Sequence, residues 1–168
     1  SLSIKSALFG EASQEVAGTY INLGLTYHKK GDYDKALEMY QTALNIGVPI
    51  YGENNGRIAA NYNNIGNVYL YKGDYDKALD NQLKALSIRL NVYGEEHPTV
   101  ASSYTNIGII YGSMGDYDKE IEFYQRALSI RLNLLGEKHP DIALVYGNIG
   151  TVYENKKDFN KALEYFNK

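Results

Sequence analysis

The chain has 168 residues and a formal net charge of -3, with 22% of its residues charged. A balance that mild, without clustered Lys and Arg, excludes the usual electrostatic footprint of a DNA- or RNA-binding protein. The absence of cysteine excludes disulfide frameworks, thiolate zinc sites and thiol nucleophiles. No apolar run approaches the ~18 residues of a membrane span, and the N-terminus has no signal pattern. We therefore expect a soluble, cytoplasmic protein with neither nucleic acid nor membrane as partner.

One segment recurs along the chain with a fixed period. Gly31-Asp32-Tyr33-Asp34-Lys35 returns at residues 73–77 and 115–119, and in weakened form at 157–161, so the step is 42 residues. A period of this size predicts a stack of helical units that bury their apolar faces on one another.

The register of the repeat divides the chain into units. Residues 1–12 align with the end of the second helix of a unit, so we assign them to a preceding repeat. The first repeat is 13–56, the second 57–98, the third 99–140 and the incomplete fourth 141–168. Both ends cut through a unit, which predicts that the chain belongs to a longer array with further repeats or domains.

The first helix of each unit, helix A, is predicted over residues 18–30 in the first repeat. Tyr20, Leu23, Gly24 and Tyr27 recur at helical spacing and form one packing face. Eight of the 17 tyrosines come from the two tyrosine positions of this face, where the ring packs and the hydroxyl reaches the solvated rim. The glycines that we expect Gly24 to face along the stack are Gly66, Gly108 and Gly150.

The second helix, helix B, follows a tight turn. Gly31 suits a left-handed end of helix A, and Asp32 can cap helix B. Helix B then runs from about Tyr33 to Tyr51, with Pro49 inside it. Because proline removes a hydrogen bond, we expect this helix to be kinked or shortened.

Two later helices B depart from the pattern. Gln82 stands where Tyr40 and Tyr124 stand, and Glu120 replaces the small Ala36 of the first repeat. We expect local irregularity at both places.

These residues resemble the tetratricopeptide repeat family. The family pattern of an aromatic, Leu-Gly and Tyr on helix A, then Ala, an aromatic and Ala on helix B, is matched by Tyr20, Leu23-Gly24, Tyr27, Ala36, Tyr40 and Ala43. The longer period, with Gly-Glu-x-His-Pro in the loop, is similar to the kinesin-light-chain type of repeat. The resemblance implies an all-α, right-handed superhelical solenoid of antiparallel helix pairs. It also implies a scaffold that binds proteins, such as cargo or adaptor peptides.

The side of helix A opposite the packing face is the candidate binding surface. Asn22 points roughly 200° away from that face at ~100° per residue. By the resemblance, this outward stripe lines the concave groove of the superhelix. The predicted peptide-binding residues are Asn22, Leu25, Lys29, Asn63, Asn64, Asn67, Tyr71, Thr105, Asn106, Ile109, Asn148 and Thr151.

An asparagine row runs through this stripe. Its members are Asn22, Asn64, Asn106 and Asn148. A side-chain amide both donates and accepts, which complements an extended peptide backbone; alternatively, the amides bond to neighbouring helices and order the stack. Charge in the stripe is sparse, with Lys29 as the one basic residue that could favour an acidic peptide, so a strongly acidic ligand is disfavoured.

No catalytic, metal-binding or cofactor-binding constellation is recognisable. His97 and His139 lie 42 residues apart on successive units, too far apart to share a zinc ion, so a capping or loop role is expected. The recurring Asp32 and Asp34 suit helix caps and solvated helix starts. We predict a protein that is not an enzyme and has no cofactor.

Three functions are compatible with the predicted repeat array. The first is a non-catalytic scaffold that binds an extended peptide or partner segment in the groove, including a kinesin-light-chain-like cargo or adaptor region. The second is a structural or self-assembly spacer. The third is a regulatory repeat arm of a larger signalling protein.

Overall fold

The computed structural model describes the backbone of residues 2–168 and the side chains of residues 14–168, and this part of the chain is helical without any strand. The helices are α1 (Leu2–Lys30), α2 (Tyr33–Tyr51), α3 (Gly56–Lys72), α4 (Tyr75–Tyr93), α5 (Pro98–Ser113), α6 (Tyr117–Leu135), α7 (Pro140–Asn155) and α8 (Phe159–Phe166).

The helices form two compact units, Ser1–Val92 and Tyr93–Lys168. In unit 1, α2 packs on both α1 and α3; in unit 2, α6 packs on both α5 and α7, and α7 packs on α8. Short turns make sequential helices antiparallel neighbours. The predicted all-α architecture of tetratricopeptide-like helix pairs is therefore confirmed.

The turn between helices A and B has the predicted geometry. Gly31 adopts φ +82°, a left-handed conformation that suits glycine. The side chain of Asp32 then accepts a hydrogen bond from the backbone N–H of Lys35 and caps α2. In the last repeat Lys157 takes the left-handed position, with φ +61°. The turn is thus repeated even where glycine is absent.

The histidines cap helices, as predicted. The ring of His97 accepts from the backbone N–H of Thr99 at 3.2 Å and begins α5. His139 begins α7 in the same way. Each is followed by a proline at the start of its helix, where the missing N–H costs nothing.

Each unit has a hydrophobic cluster. In unit 1, residues from α2 and α3 are buried together: Ala36, Tyr40, Leu44, Ile58, Ile65 and Val68. In unit 2, residues from α6 and α7 are buried together: Ile121, Tyr124, Leu128, Ile142, Val145, Ile149 and Val152.

The glycine of helix A faces the helix B of its own repeat, so our expectation that Gly24 faces the other glycines of the stack is wrong. A Cβ built on Gly24 would lie 2.6 Å from the ring of Tyr40. The same crowding occurs between Gly108 and Tyr124, at 2.9 Å. Glycine is needed here because a buried aromatic ring lies directly against the helix backbone.

Helix α1 differs from the sequence prediction at its start. It runs from Leu2 to Lys30 without a break between residues 12 and 13. Glu11 and Ala12 are good helix formers, and no proline follows them to end the helix. The side chains of residues 1–13 lie outside the described part, so the assignment of residues 1–12 to a preceding repeat stays a prediction.

Leu23 belongs to the predicted packing face but is 40% exposed. Its equivalents Ile65 and Ile149 are buried in clusters that contain residues of the preceding helix B, α2 and α6 respectively. No helix precedes α1 in the described part of the chain, and this explains the exposure of Leu23.

Pro49 does not shorten α2. The helix has 19 residues, the same length as α4 and α6. Pro49 lies in the last turn, and Gly52 N–H still bonds to the carbonyl of Val48 at 2.9 Å. Pro49 has no N–H to donate to the carbonyl of Asn45, yet the helix continues to Tyr51.

The two other departures from the repeat pattern, Gln82 and Glu120, are accommodated by side-chain packing. Helices α4 and α6 continue as regular helices. Gln82 is fully buried in the place of a tyrosine, and its amide donates to Asn67 Oδ1 at 2.8 Å. Glu120 is buried beside Gly112, where a Cβ would lie within 2.4 Å of the Glu120 carboxyl carbon. A larger side chain in α6 is therefore matched by the absence of one in α5.

Candidate functional site

The asparagine row lies on the outward stripe in both units. In unit 1, Asn22 on α1 is exposed and Asn64 on α3 is half-buried; in unit 2, Asn106 on α5 is half-buried and Asn148 on α7 is exposed. Within the described residues, the side-chain amides of Asn22, Asn64 and Asn148 have no hydrogen-bond partner. Three amides of the row thus keep both their donor and their acceptor available to a ligand.

Large apolar side chains flank the row and are exposed. They are Leu25 and Tyr71 in unit 1, and Ile109 and Leu144 in unit 2, with Tyr71 and Leu144 each about two-thirds exposed. Apart from that of α1, where Leu23 is exposed, the packing faces of the same helices bury or half-bury their apolar residues, whereas the outward stripe exposes an apolar residue on each of the four helices. Apolar side chains interspersed with amides form a surface suited to a peptide, whose backbone is polar and whose side chains vary.

Tyr71 belongs to a small aromatic cluster. Its ring stacks on Tyr33, at 6.2 Å between centroids, and meets the edge of His28 at 5.0 Å. Burial lowers the pKa of His28 below its ordinary value, so the ring is neutral at physiological pH. The contacts with Tyr33 and His28 hold Tyr71 in place without burying a charge. The outer face of the Tyr71 ring remains exposed.

Asn63 and Asn67 lie beside the row but are engaged within unit 1. Asn63 Oδ1 accepts from the guanidinium of Arg89 at 3.4 Å, and its carbonyl accepts from Gln82. Asn67 bonds to the same Gln82. Both asparagines therefore connect α3 to α4, and little of their hydrogen-bonding capacity is left for a ligand.

Unit 2 repeats the arginine contact. Arg131 on α6 donates to the hydroxyl of Thr105 on α5 at 3.2 Å. Arg89 and Arg131 occupy the same position of the 42-residue period, as do Asn63 and Thr105. The guanidinium of helix B therefore reaches the outward stripe of helix A in both repeats.

Sequence reasoning missed these two arginines. It considered charge on helix A alone and found only Lys29, which the structure leaves exposed. The available signal was the repeated Ser-Ile-Arg-Leu-Asn of helices α4 and α6. The view that Lys29 is the one basic group near the stripe is thus corrected, because helix B supplies a cation to it in repeats 2 and 3.

Thr151 completes the predicted site. It is exposed on α7, and its hydroxyl donates to the carbonyl of Gly147 at 3.1 Å within the same helix. The lone pairs of the hydroxyl oxygen are left to accept from a donor outside the helix.

A second surface feature recurs in both units, on the loop side of the helices. In unit 1 a cleft of about 310 Å³ contains Glu53, Tyr62 and Lys84, and in unit 2 a cleft of about 360 Å³ contains the equivalent residues. Lys84 lies over the Tyr62 ring at 5.9 Å and pairs with Asp80. Glu53 and Lys84 balance in the first cleft, whereas Glu95 and Glu96 outnumber Arg126 in the second, so the two clefts do not share one charge preference.

The described residues contain neither a metal site nor a helix suited to span a membrane. No group of three or more His, Cys, Asp and Glu side chains is placed to hold a metal ion. None of the helices in this part of the chain combines the length and apolar character that crossing a membrane requires.

Solved structures share this fold. BtubC (BKLC) from P. vanneervenii is 33% identical with a TM-score of 0.81 over 90% of this chain, which spans 60% of that protein. The nearly identical TPR-like repeats assigned to a kinesin light chain of Podosopora anserina give 16% identity and a TM-score of 0.77, covering 91% of this chain and 72% of theirs. MamA gives 26% identity and a TM-score of 0.65, covering 97% of this chain and 80% of its own. A comparison with curated protein sequences gives no significant match.

The sequence pattern described as tetratricopeptide repeat matches residues 1–47, 15–88, 57–133 and 121–168, which together span the whole chain. Repeats of this kind typically form non-catalytic scaffolds and mediate protein–protein interactions, so the match supports a protein-interaction scaffold. The chain belongs to the tetratricopeptide repeat family.

Proposed function

We propose that this chain binds an extended peptide or partner segment along the outward stripe of its A helices. The observation that carries the proposal is that amides without hydrogen-bond partners in the described part of the chain, those of Asn22, Asn64 and Asn148, lie beside exposed large apolar side chains in both units. Asn22 and Asn64 would bond to the peptide backbone in unit 1, and Asn106 and Asn148 in unit 2. Exposed apolar residues such as Ile109 would contact peptide side chains.

The other predicted site residues have graded roles in this proposal. Lys29, Thr151 and Tyr71 are exposed and available for contact. Asn63 and Thr105 act through the arginines that they hold at the edge of the stripe. Asn67 supports the stripe from behind by its bond to Gln82.

The proposal extends to a cargo- or adaptor-binding role of the kinesin-light-chain type. It is supported by the 42-residue period and by the Gly-Glu-x-His-Pro loops at residues 94–98 and 136–140. The fold shared with the kinesin light chain repeats of Podosopora anserina is consistent with this role.

The test is a comparison of two quadruple variants. One replaces the asparagine row, Asn22, Asn64, Asn106 and Asn148, with alanine. The matched control replaces four exposed asparagines of the B helices with alanine: Asn45, Asn91, Asn133 and Asn160. Partners are captured from cell extract and divided into overlapping peptides, and peptide affinity is measured by fluorescence anisotropy after circular dichroism has shown that all proteins are folded.

We expect the row variant to bind partner peptides at least tenfold more weakly than the wild type, while the control binds them normally. Equal binding by the row variant would exclude the stripe as the binding surface. It would leave the asparagines with the structural role of ordering the stack.

A further inference from the structure

Repeat 1 contains a cavity. The residues that create it differ from those at the equivalent positions of repeats 2 and 3. It has a volume of about 130 Å³ and lies between α1, α2 and α3. Three of its lining residues, Gly18, Ile21 and Ala60, belong to the outward stripe, so the cavity opens toward the proposed peptide. Gly47 of α2 also lines it.

The cavity occurs where an arginine is missing. Position 47 is equivalent to Arg89 and Arg131, whose long side chains extend from helix B to the outward stripe of helix A. Gly47 has no side chain to extend. Ile21 likewise replaces the hydrogen-bonding residues Asn63 and Thr105 that meet those arginines.

The chemistry of the lining selects the occupant. Ala17, Ile21, Ala43 and Ile58 make most of the wall aliphatic, and the wall also contains Asn61, whose buried Oδ1 has no hydrogen-bond partner among the described residues. Arg57 is the cation at the cavity; it lies over the Tyr51 ring at 5.2 Å and has no carboxylate within salt-bridge distance in the described part of the chain. Arg57 disfavours a positively charged guest by charge repulsion, and the largely aliphatic wall disfavours any charged side chain. A neutral, aliphatic guest fits.

The volume of the cavity limits which side chains can occupy it. An apolar cavity of about 150 Å³ in another protein stays dry and takes up benzene. A cavity of about 130 Å³ therefore accommodates a side chain with about four carbon atoms and is too large for alanine to fill.

We propose that this cavity is a specificity pocket for a leucine-sized aliphatic side chain of the bound partner. The proposal rests on the peptide-binding function proposed above. It adds that the partner segment carries Leu, Ile or Met where it crosses repeat 1, and that the other repeats make no such demand. Burial of that side chain anchors the register of the peptide.

The pocket is tested with single amino acids, so that the result does not depend on the partner. The N-acetyl amides of Leu, Ala and Arg are titrated into ¹⁵N-labelled protein, and the backbone amide signals of Ala17, Gly18, Gly47 and Asn61 are followed by NMR. We expect saturable shifts with the leucine amide alone. Its dissociation constant should be on the order of 1–10 mM, as for a ligand of about a dozen heavy atoms.

Three variants sharpen the test. Gly18→Leu fills the pocket, because a Cβ at Gly18 meets no atom within 4 Å. Ile21→Asn makes its wall resemble that of repeat 2. Gly147→Leu is the matched control, since Gly147 is an equally uncrowded glycine on the outward stripe of α7. The first two should weaken binding of the leucine amide at least tenfold, and the control should leave it unchanged.

The proposal is overturned if the leucine amide gives no saturable shift, if the arginine amide binds equally well, or if Gly18→Leu binds like the control. Such a result leaves the asparagine row and its own test untouched. Conversely, normal peptide binding by the row variant would refute the peptide-binding stripe while the pocket still bound the leucine amide. The two failures are therefore distinguishable.

Discussion

Lys157 adopts a backbone conformation that glycine holds at the same point in the three other repeats. Its φ is +61°, against +82°, +76° and +82° for Gly31, Gly73 and Gly115. A Cβ in the left-handed region costs about 1–2 kcal/mol because it crowds the neighbouring carbonyl. Replacing Lys157 with glycine removes this cost. The greater conformational entropy of glycine in the unfolded chain offsets part of the gain in stability.

We therefore expect Lys157→Gly to raise the free energy of unfolding of the protein by up to about 1 kcal/mol. Urea denaturation followed by circular dichroism measures it. Gly115→Ala is the converse control and should lower the same quantity by about 1 kcal/mol. A loss of stability in Lys157→Gly would show that the lysine side chain contributes more than its backbone strain costs.

Glu120 makes the stability of unit 2 dependent on pH. Burial raises the pKa of its carboxyl above the ordinary value, opposed by the hydrogen bond from Tyr124. The folded state thus binds its proton more tightly than the unfolded state does. The stabilisation is complete below the unfolded pKa and is lost as the pH rises through the folded pKa.

Glu120→Gln should therefore be more stable than the wild type at pH 7, and the difference should shrink as the pH falls toward 4. Urea denaturation across this range provides the measurement. The control is Glu122→Gln, an exposed residue paired with Arg126, which should not reproduce the trend. If the advantage of Glu120→Gln grew on acidification, the assigned direction of the pKa shift would be wrong.

At the scale of the helix, α2 shows that the position of a proline decides its effect. Pro49 lies in the last turn, and α2 still reaches Tyr51. Like Pro49, a proline in the middle of the same helix would remove a hydrogen bond and clash with the preceding turn, but a kink there would displace the whole second half of the helix and not only its last residues, at a cost of about 3 kcal/mol or more.

Pro49→Asn, which restores the residue found at positions 91 and 133, should change the free energy of unfolding by less than about 1 kcal/mol. Gln41→Pro, at an exposed site in the middle of α2, should reduce it by about 3 kcal/mol. Thermal unfolding monitored at 222 nm compares the two variants. Equal losses in both would mean that the last turn of α2 matters as much as its centre.

At the scale of the whole molecule, the two units have separate hydrophobic clusters. Tyr124 is 6% exposed within the cluster of unit 2 and lies against Gly108. Stability in repeat proteins is approximately a sum of local terms and nearest-neighbour interfaces. A defect in one unit should therefore act mainly on that unit.

Tyr124→Ala should cost about 3–5 kcal/mol in unit 2 through the cavity that it leaves. Hydrogen exchange measured by mass spectrometry should show faster exchange in α5–α7 than in α1–α3. Tyr40→Ala, at the equivalent position in unit 1, should reverse this pattern. Uniform acceleration along the chain in both variants would indicate a single cooperative unit.

The sequence by itself determined the period, the helix pairs, the turns and the caps. These features depend on neighbours in the chain: Gly31 can end a helix, Asp32 can cap the next one, and the 42-residue step repeats both. The outward position of Asn22 and Asn148 also follows from helical geometry alone. Even the departure at Gln82 was visible as a break in a repeated position.

Only the tertiary structure decided which groups face one another across helices. Gly24 lies against Tyr40, Gly112 makes room for Glu120, and Arg89 reaches Asn63 over 26 positions of sequence. Such contacts depend on how far a side chain extends between two packed helices, which the spacing within either helix does not specify. The cavity beside Gly47 follows from the same cause, since the absence of a side chain becomes a pocket only where its neighbours are held apart.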